Sequence, residues 1–269
     1  MKLIESNVEV IEQQPGLDGV FKQIELVGRT CYKSEDKITE DSAKEFVDRM
    51  IKSKHGAMLE HGTVYLLIRD CDETDTHINE YMSNPYTRVN SVGNWWYVTT
   101  NLRVLVENDW MHDLLYFLSE PTEHHEKRIT ARFTCDRGVS HEIVRHRVMS
   151  FAQESQRYVG YDKEKFGCEV TFVKPNWYDE EFPACLTWIE SLKDSEKKYL
   201  DLREAGLKPQ DARSVLPNAT KTEIVVTGFE SDWEHFFSLR SPKAGAQGAH
   251  PDIAKLADEL YEKLNSVNK

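Results

Sequence analysis

Apolar side chains recur along the chain with two different periods, and each period predicts one kind of element. An apolar residue at every second position is typical of a half-buried strand, whereas apolar residues three or four positions apart are typical of a helix with one buried face. The first pattern, with short apolar runs, predicts strands at 8–11, 63–68, 96–106, 128–135 and 223–229. The second predicts helices at 39–55, 109–118, 139–147, 182–205, 209–216 and 233–239, and a last helix from Pro251.

Glycines and prolines mark the ends of several predicted elements. Gly206 ends one helix and Pro209 begins the next. Residues 70–93 are polar and are predicted to be irregular. We therefore expect a single α+β domain over 1–269, with an inserted strand–helix block at about 70–128.

The charge of the chain limits its partners. Its 34 Lys and Arg side chains against 46 Asp and Glu give a net charge of −12. Such a surface opposes general binding to nucleic acid and docking on anionic membranes, since both need an excess of cations. The first five residues are too charged for a signal peptide, and the apolar run 64–68 is too short to span a bilayer. We expect a soluble cytoplasmic protein with no nucleic-acid or membrane partner.

Cysteine and histidine spacing gives little support for a metal site. Five cysteines are scattered at 31, 71, 135, 168 and 185, without a Cys-x-x-Cys pair, so free and mostly buried thiols are expected. The segment 55–61 offers two histidines and Glu60, but Glu60 and His61 are adjacent and would point to opposite faces of a strand. Residues 123–126 are interpreted as a polar loop. No metal ion is predicted.

The densest unusual segment is 145–158, which reads Arg-His-Arg-Val-Met-Ser-Phe-Ala-Gln-Glu-Ser-Gln-Arg-Tyr. Guanidinium forks and hydroxyls bind phosphate and carbonyl oxygens, so this segment indicates a nucleotide site. If 155–159 is extended, Ser155 and Arg157 share one face. The alternative is a basic helix end whose arginines pair with Glu142 and Glu154. The segment alone leaves both interpretations open.

Two further cationic positions lie downstream. Arg213 stands in a short helix between two prolines, and Arg240 directly follows an apolar helix. Taken alone, each is typical of a surface ion pair.

In their order along the chain, these segments resemble the flavin-dependent thymidylate synthases, also called the thymidylate synthase-complementing family. The family signature is Arg-His-Arg, seven residues and then Ser, which appears here over 145–155 and continues through Arg157-Tyr158. The other matching segments are Arg29-Thr30-Cys31-Tyr32, His55 to His61, Ala212-Arg213-x-x-Leu216-Pro217 and Leu239-Arg240. The match covers nearly the whole chain except about 70–128.

The resemblance implies an enzyme with the family fold, a mixed sheet with flanking helices, assembled as a homotetramer. Members reductively methylate deoxyuridylate (dUMP) to thymidylate (dTMP), with 5,10-methylenetetrahydrofolate as carbon donor. FAD, reduced by NADPH or NADH, is the hydride source. By the same resemblance, Arg240 activates the pyrimidine by favouring ionisation at its ring N3, because a fixed guanidinium stabilises negative charge on the uracil.

The resemblance also implies the residues that contact each ligand. The implied FAD contacts are Arg145, His146, Arg147, Gln153 and His235. The implied dUMP contacts are Glu142, Ile143, Val144, Arg145, Gln153, Glu154, Ser155, Gln156, Arg157, Arg213 and Arg240.

A few positions depart from the family pattern. Ala57 replaces a hydroxyl residue that contacts flavin in many members, and Phe229-Glu230-Ser231 stands where others carry Asn-x-Arg. His235 stands where some carry Asn, and Gln153 where many carry Glu. These departures keep open a nucleotide-binding module without catalysis. The arginines also fit a nucleotide phosphohydrolase, although the sequence has no Walker-type loop.

Overall fold

The computed structural model describes residues 1–71 and 74–267. Strands and helices are interspersed along the whole described chain. Residues 72–73 of the predicted block and 268–269 of the predicted domain lie outside the described residues. The strands are β1 (Lys2–Ile4), β2 (Asn7–Ile11), β3 (Thr63–Arg69), β4 (Arg88–Val92), β5 (Trp95–Asn101), β6 (Arg128–Asp136), β7 (Ser150–Gln153), β8 (Thr171–Val173) and β9 (Lys221–Phe229). The helices are α1 (Gly16–Tyr32), α2 (Ser42–Lys52), α3 (Gly56–Leu59), α4 (Asp75–Ser83), α5 (Leu102–Glu107), α6 (Asp113–Tyr116), α7 (Arg137–Ile143), α8 (Ala184–Glu204), α9 (Pro209–Ala212), α10 (Glu230–Arg240) and α11 (Pro251–Val267).

The centre of the fold is an antiparallel sheet in the order β2-β6-β9-β7. One face collects the apolar side chains of alternating residues, such as Phe133 and Ile224, which lie opposite each other. Trp233 of α10 and Leu256 of α11 join the same buried cluster. On the other face, Val27 of α1 packs against the sheet. Burial of apolar surface on both faces is the main term that stabilises this layer.

Two smaller sheets flank this centre. β3, β5 and β4 form an antiparallel sheet whose Leu66 and Val98 pack with Ile24 of α1 and Phe46 of α2. β1 and β8 pair in parallel and pack with α8 around Tyr199. Parallel pairing within the described residues is confined to β1 and β8, so the single mixed sheet of the expectation is replaced by several sheets. The architecture is mixed α+β, as predicted.

Most predicted elements are confirmed, including the strands now seen as β2, β3, β6 and β9 and the long helices α8 and α11. The predicted strand 96–106 is wrong in its second half. Asn101 ends β5 and caps α5, where its side-chain oxygen accepts a hydrogen bond from Val104 N–H at 3.3 Å. The predicted helix 109–118 is reduced to the single turn of α6.

Four helices, α1, α3, α4 and α5, appear in the described residues where no helix was predicted. Residues 70–93, predicted to be irregular, contain β4 and also α4, which buries Ile78 and Tyr81. No element was predicted for the segment of α1, because buried Gln23 and Glu25 interrupt its apolar face. No helix in residues 1–71 or 74–267 has an apolar run long enough to cross a bilayer.

Gly28 of α1 marks a close approach between α1 and α2. A Cβ at this position would lie 2.4 Å from the ring carbon Cζ of Phe46. We expect Gly28→Ala to lower the free energy of unfolding by about 1–3 kcal/mol, because overpacking outweighs the better helix propensity of alanine. Urea unfolding followed by circular dichroism measures this, with Lys22→Ala on the exposed side of α1 as the matched control. Equal or higher stability of Gly28→Ala would contradict the close approach.

Candidate functional site

Arg240, the last residue of α10, connects this helix to the end of α7. Its Nη1 donates to Oε2 of Glu142 at 2.7 Å, and its Nε donates to Nε2 of His146 at 3.1 Å. Arg240 and Glu142 are both largely buried, with 19% and 26% of their side chains exposed. The pair therefore holds the guanidinium in one orientation, and its Nη2 has no hydrogen-bond partner among the described residues.

His146 is held in its neutral form. The ring is buried and packs edge-to-face on Phe236, with ring centroids 4.8 Å apart. Burial, followed by the charges of Arg240 and His235, lowers the pKa of His146 to about 4. A neutral imidazole has one acceptor nitrogen, and the Arg240 contact assigns that role to Nε2, so the proton lies on Nδ1.

Arg145 and Arg147 follow α7 and extend into solvent. The predicted helix 139–147 instead begins at Arg137, because Asp136 accepts a hydrogen bond from Val139 N–H at 2.8 Å, and it ends at Ile143. The two arginines are exposed and form no hydrogen bond or ion pair within the described chain. Their guanidinium groups are thus available to a ligand.

The basic-helix-end interpretation of this segment is wrong. Glu142 pairs with Arg240, and Glu154 accepts from Nζ of Lys221 at 2.8 Å, so neither carboxylate pairs with the signature arginines. The buried side chain of Ile143 belongs to the apolar cluster of the main sheet, and Val144 packs at its margin. These two residues face the core with their side chains.

Gln153 and Glu154 are engaged inside the protein. Nε2 of Gln153 donates to Ser140 Oγ at 2.8 Å and Thr222 Oγ1 at 3.2 Å, which leaves Oε1 as its remaining polar atom. Glu154 is buried at 4% exposure beside Lys221. Both residues thus belong to an internal hydrogen-bonded network.

That internal network continues to the end of α1. Glu223 accepts from Lys221 at 2.5 Å and from Lys33 at 2.6 Å. Burial alone would raise the pKa of Glu223, but the two lysines outweigh it and hold that pKa at about 2. The charges of Glu154 and Glu223 in turn raise the pKa of Lys221 against the opposing effect of burial. These four residues tie β9 to β7 and α1.

Residues 155–159 form a turn instead of the extended segment considered above. The carbonyl of Ser155 accepts from the N–H groups of Tyr158 and Val159, both at 3.1 Å. Arg157 is therefore exposed at the tip of the turn, and it does not share a strand face with Ser155. Nε of Arg213 donates to the carbonyl of Gln210 at 3.2 Å.

Three residues near this turn are only partly hydrogen-bonded, and two of them were not predicted from the sequence. Arg137, Gln156 and Tyr161 each keep a buried polar atom, Nη1, Nε2 and OH respectively, without a partner among the described atoms. Gln156 was predicted for other reasons, whereas Arg137 and Tyr161 were not. Burial lowers the pKa of Arg137, opposed by Tyr161, and the nearby charge of Arg213 lowers it further. In the sequence, Arg137 stands out only as a positively charged residue at the junction of β6 and α7, ahead of the Arg-His-Arg signature at 145–147.

The segments considered for a metal ion do not converge. Nδ1 of His61 lies 2.8 Å from the hydroxyl of Thr227, while Glu60 pairs with Arg103. His125 is buried and its Nε2 contacts the carbonyl of Leu66 at 3.1 Å, so it anchors its loop to the sheet. Across the described ranges, no three His, Cys, Asp or Glu side chains are grouped to hold a metal ion. All five cysteines are free, but only Cys135 and Cys185 are buried, fewer than expected.

The segment 229–231 is covered by the inserted block. Phe229 is buried between two guanidinium groups, with Arg88 4.4 Å and Arg128 5.4 Å from its ring centroid. Ser231 N–H donates to Oε1 of Glu126 at 3.2 Å. The ring of Phe229 is thus contacted by one arginine from β4 and one from β6.

Comparisons with known proteins match a large part of this chain to one family. Residues 110–268 match the family model described as thymidylate synthase complementing protein. The flavin-dependent thymidylate synthase of Pyrococcus furiosus is 33% identical over 175 residues, which are 64% of this chain and 68% of that protein. That of Thermococcus kodakarensis is 36% identical over 130 residues, so the chain matches about half of its length, 51%.

A solved structure, the UMP/dUMP methylase PolB from Streptomyces cacaoi bound with 5-Br dUMP, was also found. It aligns with 99% of this chain and 93% of its own length, at 16% identity and a TM-score of 0.48.

The protonation state of the His146 imidazole can be measured directly. We expect its ring protons to titrate with a pKa of about 4, by NMR of protein labelled at histidine and assigned with His146→Gln. Arg240→Ala removes a neighbouring positive charge, so the pKa of His146 should rise in that variant. Because the unfolded chain binds this proton more readily, wild type should lose stability relative to His146→Gln as pH falls from about 6.5 to 4.

Arg203→Ala, which breaks a distant ion pair with Asp162, is the control and should leave this titration unchanged. A wild-type His146 that titrates near the ordinary histidine value would contradict the neutral, hydrogen-bonded ring.

Proposed function

Because the chain belongs to the thymidylate synthase complementing protein family, we propose that it is a flavin-dependent thymidylate synthase. It reductively methylates dUMP to dTMP, with 5,10-methylenetetrahydrofolate as carbon donor and NADPH or NADH as reductant of FAD. The observation that carries this proposal is the contact of Arg240 with Glu142 and neutral His146.

The fixed guanidinium of Arg240 is the proposed catalytic group. Nε and Nη1 donate hydrogen bonds to His146 and Glu142, so the guanidinium has one orientation and its Nη2 remains available to donate to a ligand. A cation held in this way stabilises negative charge that develops on the uracil ring, and it does so without reorganising during the reaction. His146 contributes by accepting the Nε proton and by remaining neutral, so it does not repel Arg240.

The nucleotide is proposed to bind beside this group, along the turn that follows β7. Exposed Arg157 and half-exposed Arg213 supply guanidinium forks for phosphate, and Ser155 supplies a hydroxyl. Gln153, through its free carbonyl oxygen, can accept from a uracil N–H. Ile143 and Val144, whose side chains face the core, contribute by their backbone, and Glu154 and Gln156 by supporting the turn.

The residues present also fit FAD. Exposed Arg145 and Arg147 are unpaired within the described chain and suit the negatively charged phosphates of the cofactor, and exposed His235 lies beside them with its ring 6.5 Å from that of His146. When bound and reduced, FAD would supply the hydride of the reaction. The chain's own part is to bind the cofactor, exclude water and hold Arg240 beside the pyrimidine.

The same proposal extends to the whole protein. We propose one domain over 1–269 with an inserted block near 70–128, assembled as a homotetramer and located in the cytoplasm. The partners are dUMP, the folate and the nicotinamide cofactor.

A direct test combines a spectrum with turnover. Purified protein should carry the absorption bands of oxidised flavin and should oxidise NADPH in a reaction that depends on both dUMP and methylenetetrahydrofolate. Arg240→Ala should abolish turnover, because it removes the charge opposite the uracil, and should keep its circular dichroism spectrum. Arg132→Ala, which removes only a surface pair with Glu9, is the control and should remain active.

Four results would overturn the proposal or its assignment of Arg240. A folded preparation that does not bind FAD would exclude the flavin chemistry. Binding of dUMP without product would favour a silent nucleotide-binding module. Release of phosphate from nucleotides in the absence of flavin would favour a phosphohydrolase. An unimpaired Arg240→Ala variant would remove Arg240 from the catalytic role.

The phosphate contact has its own prediction. Arg213→Ala should weaken dUMP binding about ten- to hundredfold in calorimetry, the usual effect of losing one charge-assisted hydrogen bond. Deoxyuridine, which has no phosphate, should bind wild type and variant equally. Lys198→Ala, which removes a surface cation of α8, is the control. An equal loss of affinity for both ligands would show that Arg213 supports the fold and does not contact phosphate.

A further inference from the structure

A cavity of about 720 Å³ lies between the start of α1, the ends of β2 and α11, and the first residues of β6. None of the residues predicted for FAD or dUMP lines it. Its volume is in the range of small-molecule sites in proteins, about 300–1,000 Å³. The cavity is therefore a second place on this chain where a ligand of moderate size fits.

The wall of this cavity is apolar over much of its area. Ile11, Val20, Leu118 and Ile129 are among the lining residues. These side chains come from four different elements or loops, so the apolar wall depends on the tertiary fold. It suits the body of a hydrocarbon or aromatic ligand.

One partly buried cation, Arg128, stands in this wall and forms no ion pair within the described residues. Arg128 uses Nη1 for the carbonyl of Glu60 at 2.9 Å and Nη2 for the hydroxyl of Ser150 at 3.3 Å. Its Nε is buried and has no partner among the described residues, and no carboxylate there forms an ion pair with it. A buried charge with only neutral partners is costly, and an anion would remove that cost.

Other donors in the wall point to the same ligand chemistry. The hydroxyl of Ser119 is also buried and unpartnered within the described part of the chain, and it lines the cavity. The lining carboxylates Glu12, Glu120 and Glu230 are exposed, so solvent screens them. The buried part of the wall therefore carries donors and one positive charge, whereas the negative charges lie toward solvent.

We propose that this cavity binds a small molecule with an apolar body and one carboxylate, which accepts hydrogen bonds from Arg128 and Ser119. The site is separate from the proposed nucleotide site and does not depend on the proposed function. Burial lowers the pKa of Arg128 to about 10, so the guanidinium remains charged at neutral pH and can hold an anion.

Calorimetry with a matched pair of probes tests this site in the full-length protein. We expect 1-naphthoate to bind once per chain, and 1-naphthamide, which has the same ring system but no charge, to bind at least tenfold more weakly. The preference should be lost in Arg128→Gln. It should be kept in Arg132→Gln, which lies four residues along the same strand and pairs with Glu9. Saturating dUMP should change neither affinity.

Several results would overturn the proposal. These are no binding of naphthoate, equal affinity for both probes, displacement by dUMP, or a preference that survives Arg128→Gln. Should Arg128→Gln fail to fold, Gln14→Trp decides, because exposed Gln14 lines the cavity and a tryptophan there would fill its mouth. Naphthoate affinity should then fall at least tenfold, and an unchanged affinity would reject the site.

Discussion

The hydrogen bond from Arg240 to His146 is the interaction on which the proposed site depends. It forms only if the imidazole is neutral, since a protonated ring has two donors and no acceptor. Burial against Phe236 and the charge of Arg240 both favour the neutral ring. With Glu142 as the second partner, the bond ties the end of α10 to the end of α7. The guanidinium of Arg240, the proposed catalytic cation, is thus held in a fixed position relative to the signature segment.

The acidity of the chain and the anionic ligands proposed for it are compatible because the cations are distributed in two ways. Lys33 forms an ion pair with Glu223, and Lys221 forms one with buried Glu154. These pairs connect neighbouring elements inside the protein. Arg145, Arg147 and Arg157 are exposed near the site. The net charge of −12 therefore describes the whole chain, while the site itself presents guanidinium groups.

Sequence patterns predicted the fold where a single period dominates. The alternation along β6 and β9 and the apolar face of α11 were recognised for this reason. α1 was missed because buried polar residues such as Glu25 break its period, and Glu25 is buried with Arg29 and Ser42 as its hydrogen-bond partners. Asn101 was missed because a capping side chain resembles any polar residue until the helix after it is known.

The residues of the candidate site were named from motif order. The exposure and the hydrogen-bond partners of these residues could not be predicted in this way. Motif order does not distinguish Arg145, which is exposed, from Glu154, which is buried against a lysine 67 residues away. Arg137 and Arg128 were not predicted, because a guanidinium nitrogen becomes buried without a partner only through the packing of the folded chain. The sequence therefore named the segments of the candidate site, and the structure separates their exposed side chains from their buried ones.

The most direct test of the central claim is the mass of the nucleotide after incubation with carbon-13-labelled methylenetetrahydrofolate, FAD and NADPH. If Arg240 and its neighbours form a nucleotide methylase, dUMP will gain one labelled methyl group in place of a hydrogen, and this gain will depend on Arg240. Recovery of dUMP with its mass unchanged, from protein that is folded and binds both ligands, would contradict it.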